Sequence, residues 1–342
     1  MSVERLISGS SISPEEERLN LTLRPSRLNE YIGQKDVIEK LKVSLEAALA
    51  RKDPFEHALL SGPPGLGKTT LAHIIANEMG TRLLVSSGPA LARPADLLGI
   101  LTNLEHGDVL FIDEIHRLNA AIEEYLYPAM EEFKISLVLD KGIYAKAVEV
   151  PLKPFTLIGA TTRSGLLTAA LRDRFGIFHH FDFYPAAELA EIIRRSAKLL
   201  SLEIEENAVQ ISAARSRGTP RIANRLLRRV RDFAQVRAQG KATREVAIEA
   251  LKMEGIDEAG LDELDRKFLR AIIEYYDGGP VGIEAVAATL NEEVDTLVDV
   301  VEPYLLKVGF LTRTPRGRKI TKKTYLHLGL KIPVGQEQLF NG

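Results

Sequence analysis

The first residues with an evident chemistry are Gly62-Pro-Pro-Gly-Leu-Gly-Lys-Thr-Thr70. The spacing G-x-x-x-x-G-K-T is that of a phosphate-binding loop. A triphosphate is a dense anion, and backbone N–H groups surround it only where no side chain intervenes. Gly62, Gly65 and Gly67 keep that approach open and accept the positive φ that such a nest requires. Lys68 brings a cation to the β- and γ-phosphates, and the Thr69 hydroxyl can sit on Mg²⁺. Two carboxylates form the second group. Gly107-Asp-Val-Leu-Phe-Ile-Asp-Glu114 is an apolar run that ends in acid, with Asp113 lying 45 positions after Lys68. At the carboxyl end of a buried parallel strand, Asp113 can hold the Mg²⁺ shell and Glu114 can polarise an attacking water. Cations form the third. Arg313, Arg316, Arg318, Lys319, Lys322 and Lys323 crowd one stretch without a single acid between them. A solvated basic loop and a nucleic-acid contact are both open to such a stretch.

The elements that must position these groups follow from periodicity. Ala58-Leu59-Leu60 ahead of the loop reads as a buried strand, and Leu71, Ile74, Ile75 and Met79 behind it recur at helical spacing. The helix N-terminus then points its partial positive charge at the phosphates. A helix is predicted over 36–50 and another over 120–133, with a short strand at 83–85. Residues 134–150 change period and read as an inserted β-hairpin around the turn Asp140-Lys-Gly142. Phe155-Thr-Leu-Ile-Gly-Ala-Thr-Thr162 is a further buried strand ending in two hydroxyls. In Leu171-Arg-Asp-Arg-Phe175, spacing alone favours an ordinary surface salt bridge over a transition-state arginine.

From Pro185 the chain is helical over 186–200, 206–216 and 220–238, a small bundle. Thr219 and Pro220 mark a helix start by N-cap and first-turn proline. Arg221 falls in its first turn, and Arg225 and Arg228 continue a face that reads as solvated. Residues 254–265 are acidic, carry Gly255 and Gly260, and read as a linker or domain boundary. Three helices over 261–275, 282–290 and 292–307 then precede a strand–turn–strand through Pro315-Arg-Gly317, the order of a winged helix. After three such helices the basic stretch points to nucleic acid.

Composition sets the outer limits. The 342 residues carry a net charge of −2, so a nucleic-acid contact must be a local patch. There is no cysteine, which excludes disulfides and thiolate chemistry. No apolar run approaches the ~18 residues of a membrane span. Residues 1–20 read as a mobile polar tail without a signal core, and Leu23-Arg-Pro-Ser-Arg-Leu-Asn-Glu-Tyr-Ile-Gly-Gln34 as an extended arm with a turn. A soluble, cytoplasmic protein is expected.

Taken together, Gly62–Thr69, Phe111-Ile-Asp-Glu-Ile-His116, Gly159-Ala-Thr-Thr162, Leu171–Phe175, Arg217-Gly-Thr-Pro-Arg-Ile222 and Arg313-Thr-Pro-Arg-Gly-Arg318 resemble the RuvB family of bacterial AAA+ motors over roughly residues 21–330. The resemblance implies an α/β AAA+ P-loop ATPase core of parallel sheet and flanking helices, a small helical lid and a C-terminal winged helix. It places them at 23–183, 184–254 and 255–342 behind a tail at 1–22. It implies ATP and Mg²⁺ as cofactors, with Thr70 joining the nucleotide-binding loop. Asp113 and Glu114 match Walker B, and Thr162 matches the sensor that reports the γ-phosphate. Arg174 matches the finger that reaches a neighbour's ATP, and Arg221 the sensor acting in its own subunit. Leu23, Arg24, Tyr31 and Ile32 match the arm lining the adenine pocket, with Tyr184 at the matching edge of the helical domain. Arg313 and Arg318, with Arg316 between them, match the DNA-contacting wing.

The implied partners are duplex DNA, Holliday junctions, further copies in a homo-hexamer, a RuvA-like junction-binding protein and a junction resolvase, in recombination and repair. The inserted hairpin is the implied docking element, with Ile143 and Tyr144 at its tip. There the chain departs from the family, reading Gly142-Ile-Tyr-Ala-Lys146 where Gly-Pro-Ser-Ala-Arg is usual. Ala170 stands where the family often has proline. Two other classes fit the same residues: a nucleotide-switched DNA-binding initiator with slow hydrolysis, and a protein-remodelling ATPase. The basic stretch argues against the second, and the family motifs against the first.

Overall fold

The computed structural model describes residues 22–138 and 147–332, and of Leu137, Val138 and Ala147 the backbone only. The expected tail and the hairpin tip at Ile143 and Tyr144 lie outside the described residues. Contacts divide the chain into a sheet-bearing unit, Arg24–Gly62 with Leu66–Asp182, and a helical unit built from Pro63–Gly65 and everything from Phe183 onward, with Leu23.

The sheet-bearing unit holds five parallel strands, β1 (Ala58–Ser61), β2 (Leu83–Ser87), β3 (Val109–Asp113), β6 (Thr156–Thr161) and β7 (Ile177–His180), in the order β2-β3-β6-β1-β7. The apolar runs explain the arrangement. All six residues of β6 and the first four of β3 are buried, as a central strand covered on both faces requires. Leu97 and Leu101 from the helix Pro94–Leu101 join Ile122, Leu126 and Ala129 from Ala120–Glu131 against that sheet. The helix Lys68–Met79 buries Leu71, Ile74 and Ile75. Strands β4 (Lys134–Val138) and β5 (Ala147–Pro151) pair antiparallel, with Ile135 opposite Val150, and form the base of the expected hairpin.

Two elements here escaped the sequence. β7 has four residues, pairs among the described residues only with β1 and alternates in exposure, so it carries no apolar run. The helix Pro94–Leu101 starts at a proline and spans about two turns, too short for a clear period. The arm is also less extended than predicted. Leu28–Glu30 closes a 3₁₀ turn, because Ser26 N–H donates to Glu30 Oε2 at 2.8 Å. Leu28 N–H donates to Glu78 Oε1 at 3.0 Å and Asn77 Nδ2 to the Ser26 carbonyl at 3.1 Å, which moors the arm to the end of Lys68–Met79.

The helical unit begins with Ala186–Leu199, Glu206–Ala214, Pro220–Arg237 and Arg244–Met253, the last not foreseen. The two-residue strands β8 (Glu203–Ile204) and β9 (Lys241–Ala242) pair parallel among them. Ile222, Leu226, Val230, Ala247, Ala250 and Leu251 form its core. Two expectations are corrected. Thr219 occupies the N-cap position without capping, because a tight turn brings both its N–H and its hydroxyl onto the Ser216 carbonyl, at 3.0 and 3.3 Å. Arg225 and Arg228 are not solvated: they are 2% and 7% exposed, and both are partnered.

The chain continues through Glu263–Tyr276 and Ile283–Leu290 to a third helical stretch. The predicted linker is shorter than 254–265, because Leu261 enters the core and Asp265 is fully buried. Asp262 and Asp265 cap Glu263–Tyr276 reciprocally, through bonds of 2.8 and 3.0 Å. The third stretch is not one regular helix. Val294–Thr296 passes into a π-helical turn, Leu297–Val301, and then Glu302–Lys307. Pro303 has no N–H to offer the carbonyl four residues back, so the ladder is interrupted there. β10 (Leu311–Thr314) and β11 (Gly317–Ile320) make the antiparallel wing, extended by a bridge from Arg318 to Val281. Gly317 sits at φ +128°, where a Cβ would collide with the Val281 carbonyl. A last helix, Lys322–His327, was read as part of the basic stretch. Among the described residues no helix is long and apolar enough to cross a membrane.

Candidate functional site

The phosphate loop joins β1 to the helix Lys68–Met79, so its chemistry sits at the carboxyl end of the sheet. Gly67 is the helix N-cap at φ +102°. A Cβ there would lie 2.6 Å from the Tyr31 hydroxyl, which itself approaches the Leu66 carbonyl at 3.4 Å. The arm residue Tyr31 therefore lies directly on the loop. Lys68 is 7% exposed and donates to the Gly62 carbonyl at 2.7 Å. Burial pushes its ammonium down to about 8, against the opposing pull of Asp113 and Glu114. Such a desolvated cation beside an open anion nest suits a phosphate.

Asp113 ends β3 and accepts the Glu114 N–H at 2.9 Å. Glu114 adopts the left-handed conformation, φ 48°, which turns the chain sharply after the strand. Its Oε2 accepts from Arg117 at 3.2 Å, a partner that sequence reasoning missed although it stands at i+3. At the end of β6 the two neighbouring threonines differ. Thr161 is engaged: its hydroxyl meets His116 Nδ1 at 2.9 Å and accepts the Arg163 N–H at 3.0 Å. The Thr162 hydroxyl is buried and has no hydrogen-bond partner among the described residues. An orphaned buried hydroxyl costs stability, and a phosphate oxygen is a partner that would satisfy it. These residues fit a triphosphate with Mg²⁺, Thr69 and Asp113 being the side chains able to hold the ion.

Arg174 folds onto its own chain. Its guanidinium lies 4.2 Å from the Tyr127 ring centroid, Nη1 donates to the Ala170 carbonyl at 2.5 Å, and Nε lies 3.3 Å from Glu131 Oε1. Tyr127 is fixed in turn, its hydroxyl donating to the buried Glu123 at 2.8 Å. The surface-salt-bridge reading captures only the Glu131 part of this.

Of the other arm residues, Leu23 is buried and its carbonyl accepts from Arg195 at 2.7 Å. Arg24 lies close enough to His73 to lower its pKa, second to burial. Ile32 is partly buried, and Thr69 and Thr70 are partly exposed in the first turn of their helix. In the helical unit, Tyr184 is buried and its N–H donates to the Gly218 carbonyl at 2.8 Å. Arg221 packs its stem on the loop, since a Cβ on Gly65 would meet Arg221 Cβ at 3.2 Å. Pro63, Pro64, Gly65, Thr219 and Arg221 line a cavity of about 30 Å³.

The wing differs from its sequence reading. Glu302, from the third helical stretch, is 2% exposed and sits beneath the basic strands. Arg318 donates to both its oxygens, at 2.9 and 3.0 Å, leaving its side chain 11% exposed. Its fork is committed to a carboxylate that the hairpin sequence did not contain. Arg313 lies 3.5 Å from the same Glu302 but keeps 59% of its side chain in solvent. Arg316 is exposed at the turn. Lys323 donates to the Val308 carbonyl at 2.7 Å and covers the Phe310 ring.

A parallel sheet with a phosphate loop, acidic strand end and hydroxyl-ended neighbouring strand, followed by a helical lid and a winged helix, defines an AAA+ P-loop ATP hydrolase. Comparison with known proteins narrows the class. Residues 23–181 match the model of the Holliday junction DNA helicase RuvB P-loop domain, 184–257 the RuvB AAA lid domain and 258–329 the RuvB C-terminal winged helix domain. The Holliday junction branch migration complex subunit RuvB of Kosmotoga olearia is 57% identical over 327 residues, 96% of this chain and 95% of that protein. The subunit of the same name from Myxococcus xanthus is 55% identical over 322 residues, 94% of each. The solved Thermotoga maritima RuvB Holliday junction branch migration motor superposes with a TM-score of 0.85 at 54% identity, covering 91% of this chain and 100% of its own. The chain belongs to the RuvB family.

Proposed function

We propose that this protein is an ATP-driven motor that pulls duplex DNA and so drives branch migration of Holliday junctions in recombination and DNA repair. It acts in the cytoplasm as a homo-hexameric ring with a RuvA-like junction-binding protein, and a junction resolvase follows. Residues 23–183 bind and hydrolyse ATP, 184–254 form the lid, and 255–342 hold DNA. What carries the reading is one chain that joins a triphosphate site, completed by the orphaned Thr162 hydroxyl, to a winged helix whose hairpin exposes Arg313 and Arg316.

The roles follow the chemistry of each group. Gly62, Gly65, Gly67, Thr69 and Thr70 surround the phosphates, and Lys68 neutralises them. Mg²⁺, held by Thr69 and Asp113, supplies further charge neutralisation when bound. Glu114 orients the water, a task that requires it to leave Arg117. Thr162 reads the γ-phosphate, and Arg221 reads it from the lid. Arg174 reaches a neighbouring subunit's nucleotide after leaving the Tyr127 ring. Leu23, Arg24, Tyr31, Ile32 and Tyr184 hold the base. Arg313, Arg316 and Arg318 contact DNA phosphates, and Arg318 also holds the wing's shape through Glu302. Ile143 and Tyr144 dock the partner.

The test is an ATPase rate measured without DNA, with linear duplex, with a four-way junction, and with junction plus junction-binding partner. The motor reading expects turnover to rise along that series, and Glu114→Gln to abolish it while ATP still binds. A slow rate indifferent to all DNA, coupled to binding at one sequence, would replace the motor with a nucleotide-switched initiator.

A further inference from the structure

Arg217 stands four residues before Arg221 and takes no part in the roles above. Its backbone is left-handed, at φ 55°, and its side chain reaches the winged helix. There Nη1 donates to Asp265 Oδ2 at 2.6 Å and Nη2 to the Val300 carbonyl at 3.0 Å, and the guanidinium lies 4.7 Å from the Tyr304 ring centroid. Arg217 and Asp265 side chains are 2% and 0% exposed.

All three partners belong to the winged helix: Asp265 to its first helix, Val300 and Tyr304 to the irregular third stretch. At the other end of the same short loop, the Arg221 N–H lies 3.4 Å from the Gly65 carbonyl of the phosphate loop. Two residues beyond Val300, Glu302 holds Arg318 and approaches Arg313. One unbroken set of contacts therefore runs from the phosphate loop to the wing. A buried ion pair is a poor way to gain stability, since apolar residues of the same volume often do as well. A planar fork gripping a carboxylate, a carbonyl and a ring instead fixes orientation.

We infer that Arg217 is a positioning residue that clamps the winged helix to the sensor loop, so that the state of the phosphate loop sets the position of the DNA-holding wing. This rests on the proposed reading of an ATP site and a DNA-binding wing in one motor. By linkage, the nucleotide that changes DNA affinity has its own affinity changed by DNA to the same degree.

The test compares duplex DNA affinity with ADP and with a non-hydrolysable ATP analogue, in the full-length protein. The parent is expected to show a ratio within the range of roughly 5–150-fold usual for coupled sites, and the clamp variant Arg217→Met/Asp265→Leu a ratio within about twofold of one. The paired exchange leaves no lone buried charge; it also removes the bond from the Asp262 N–H to Asp265, so thermal unfolding checks that the fold is kept, and basal ATPase is expected to persist. Tyr304→Leu provides an independent route to the same loss, and Tyr304→Phe, which keeps the ring, retains the ratio. A merely structural pair would lower unfolding temperature and leave the ratio alone. A parent ratio retained in both the folded double variant and Tyr304→Leu overturns the clamp and leaves the motor standing. A parent ratio of one overturns the motor reading and the clamp with it.

Discussion

The two threonines at the end of β6 give a test in which neighbouring, chemically identical changes have opposite signs. Replacing Thr with Val exchanges a hydroxyl for a methyl at nearly constant shape. At Thr161 the hydroxyl serves His116 Nδ1 at 2.9 Å and the Arg163 N–H at 3.0 Å. Thr161→Val strips both groups of that partner, which costs about 1–3 kcal/mol. At Thr162 the hydroxyl is buried and unpaired. Thr162→Val removes a desolvated group that had no partner to lose, and gains roughly 1 kcal/mol. For a domain of this size class, each kcal/mol moves the midpoint by about 2–4 °C. Thermal unfolding without nucleotide should therefore raise the midpoint for Thr162→Val and lower it for Thr161→Val. With nucleotide the order changes. The extra stabilisation of the parent by an ATP analogue over ADP should shrink in Thr162→Val, because the partner proposed for the hydroxyl is the γ-phosphate. A Thr162→Val protein as destabilised as Thr161→Val, with the analogue's advantage intact, would refute the reasoning.

Lys68 links nucleotide binding to pH. Its folded pKa is depressed to about 8, so it is charged below that value and increasingly neutral above it. A phosphate beside it raises that pKa, so binding takes up a proton fraction above about pH 8 and affinity falls as pH climbs; calorimetry in buffers of different ionisation enthalpy would detect the uptake, and its absence would count against the assignment. At the wing, Arg316→Ala should weaken duplex binding equally on unrelated sequences and reduce the salt slope by roughly one. Arg318→Ala should instead lower unfolding temperature, because it leaves Glu302 buried with a weakened partner; a pure DNA defect with unchanged stability would reverse the two roles. Arg174→Ala should cut turnover by roughly 10³-fold or more by analogy with other arginine fingers, and mixing with Lys68→Ala protein should restore activity at mixed interfaces. No recovery in rings shown to be mixed would place Arg174 in its own site.

The sequence made the local chemistry legible and left much of the long-range pairing hidden. The phosphate loop, the acid-ended β3 and the hydroxyl-ended β6 are continuous runs, each complete within a few successive residues. Most helices of the lid and winged helix likewise follow from period, with Arg244–Met253 and the irregular third stretch of the winged helix as exceptions. What periodicity cannot carry is a partner from elsewhere. Glu302 reaches Arg318 across 16 positions and Asp265 reaches Arg217 across 48. So the wing read as a basic patch without its carboxylate, and Arg217 received no role of its own. Arg225 and Arg228 read as solvated because charge predicts exposure, whereas each is buried among partners. β7 and Pro94–Leu101 were too short to show a pattern. Thr161 and Thr162 are indistinguishable as letters, and only the fold tells which hydroxyl is already spoken for.

The most direct test of the central claim is branch migration itself. A synthetic four-way junction with one labelled arm is mixed with the protein and a junction-binding partner, with ATP or with its non-hydrolysable analogue, on two unrelated sequences. A motor converts the junction to separated duplexes with ATP only, and at similar rates on both sequences. Equal conversion with the analogue, or conversion confined to one sequence, would contradict it.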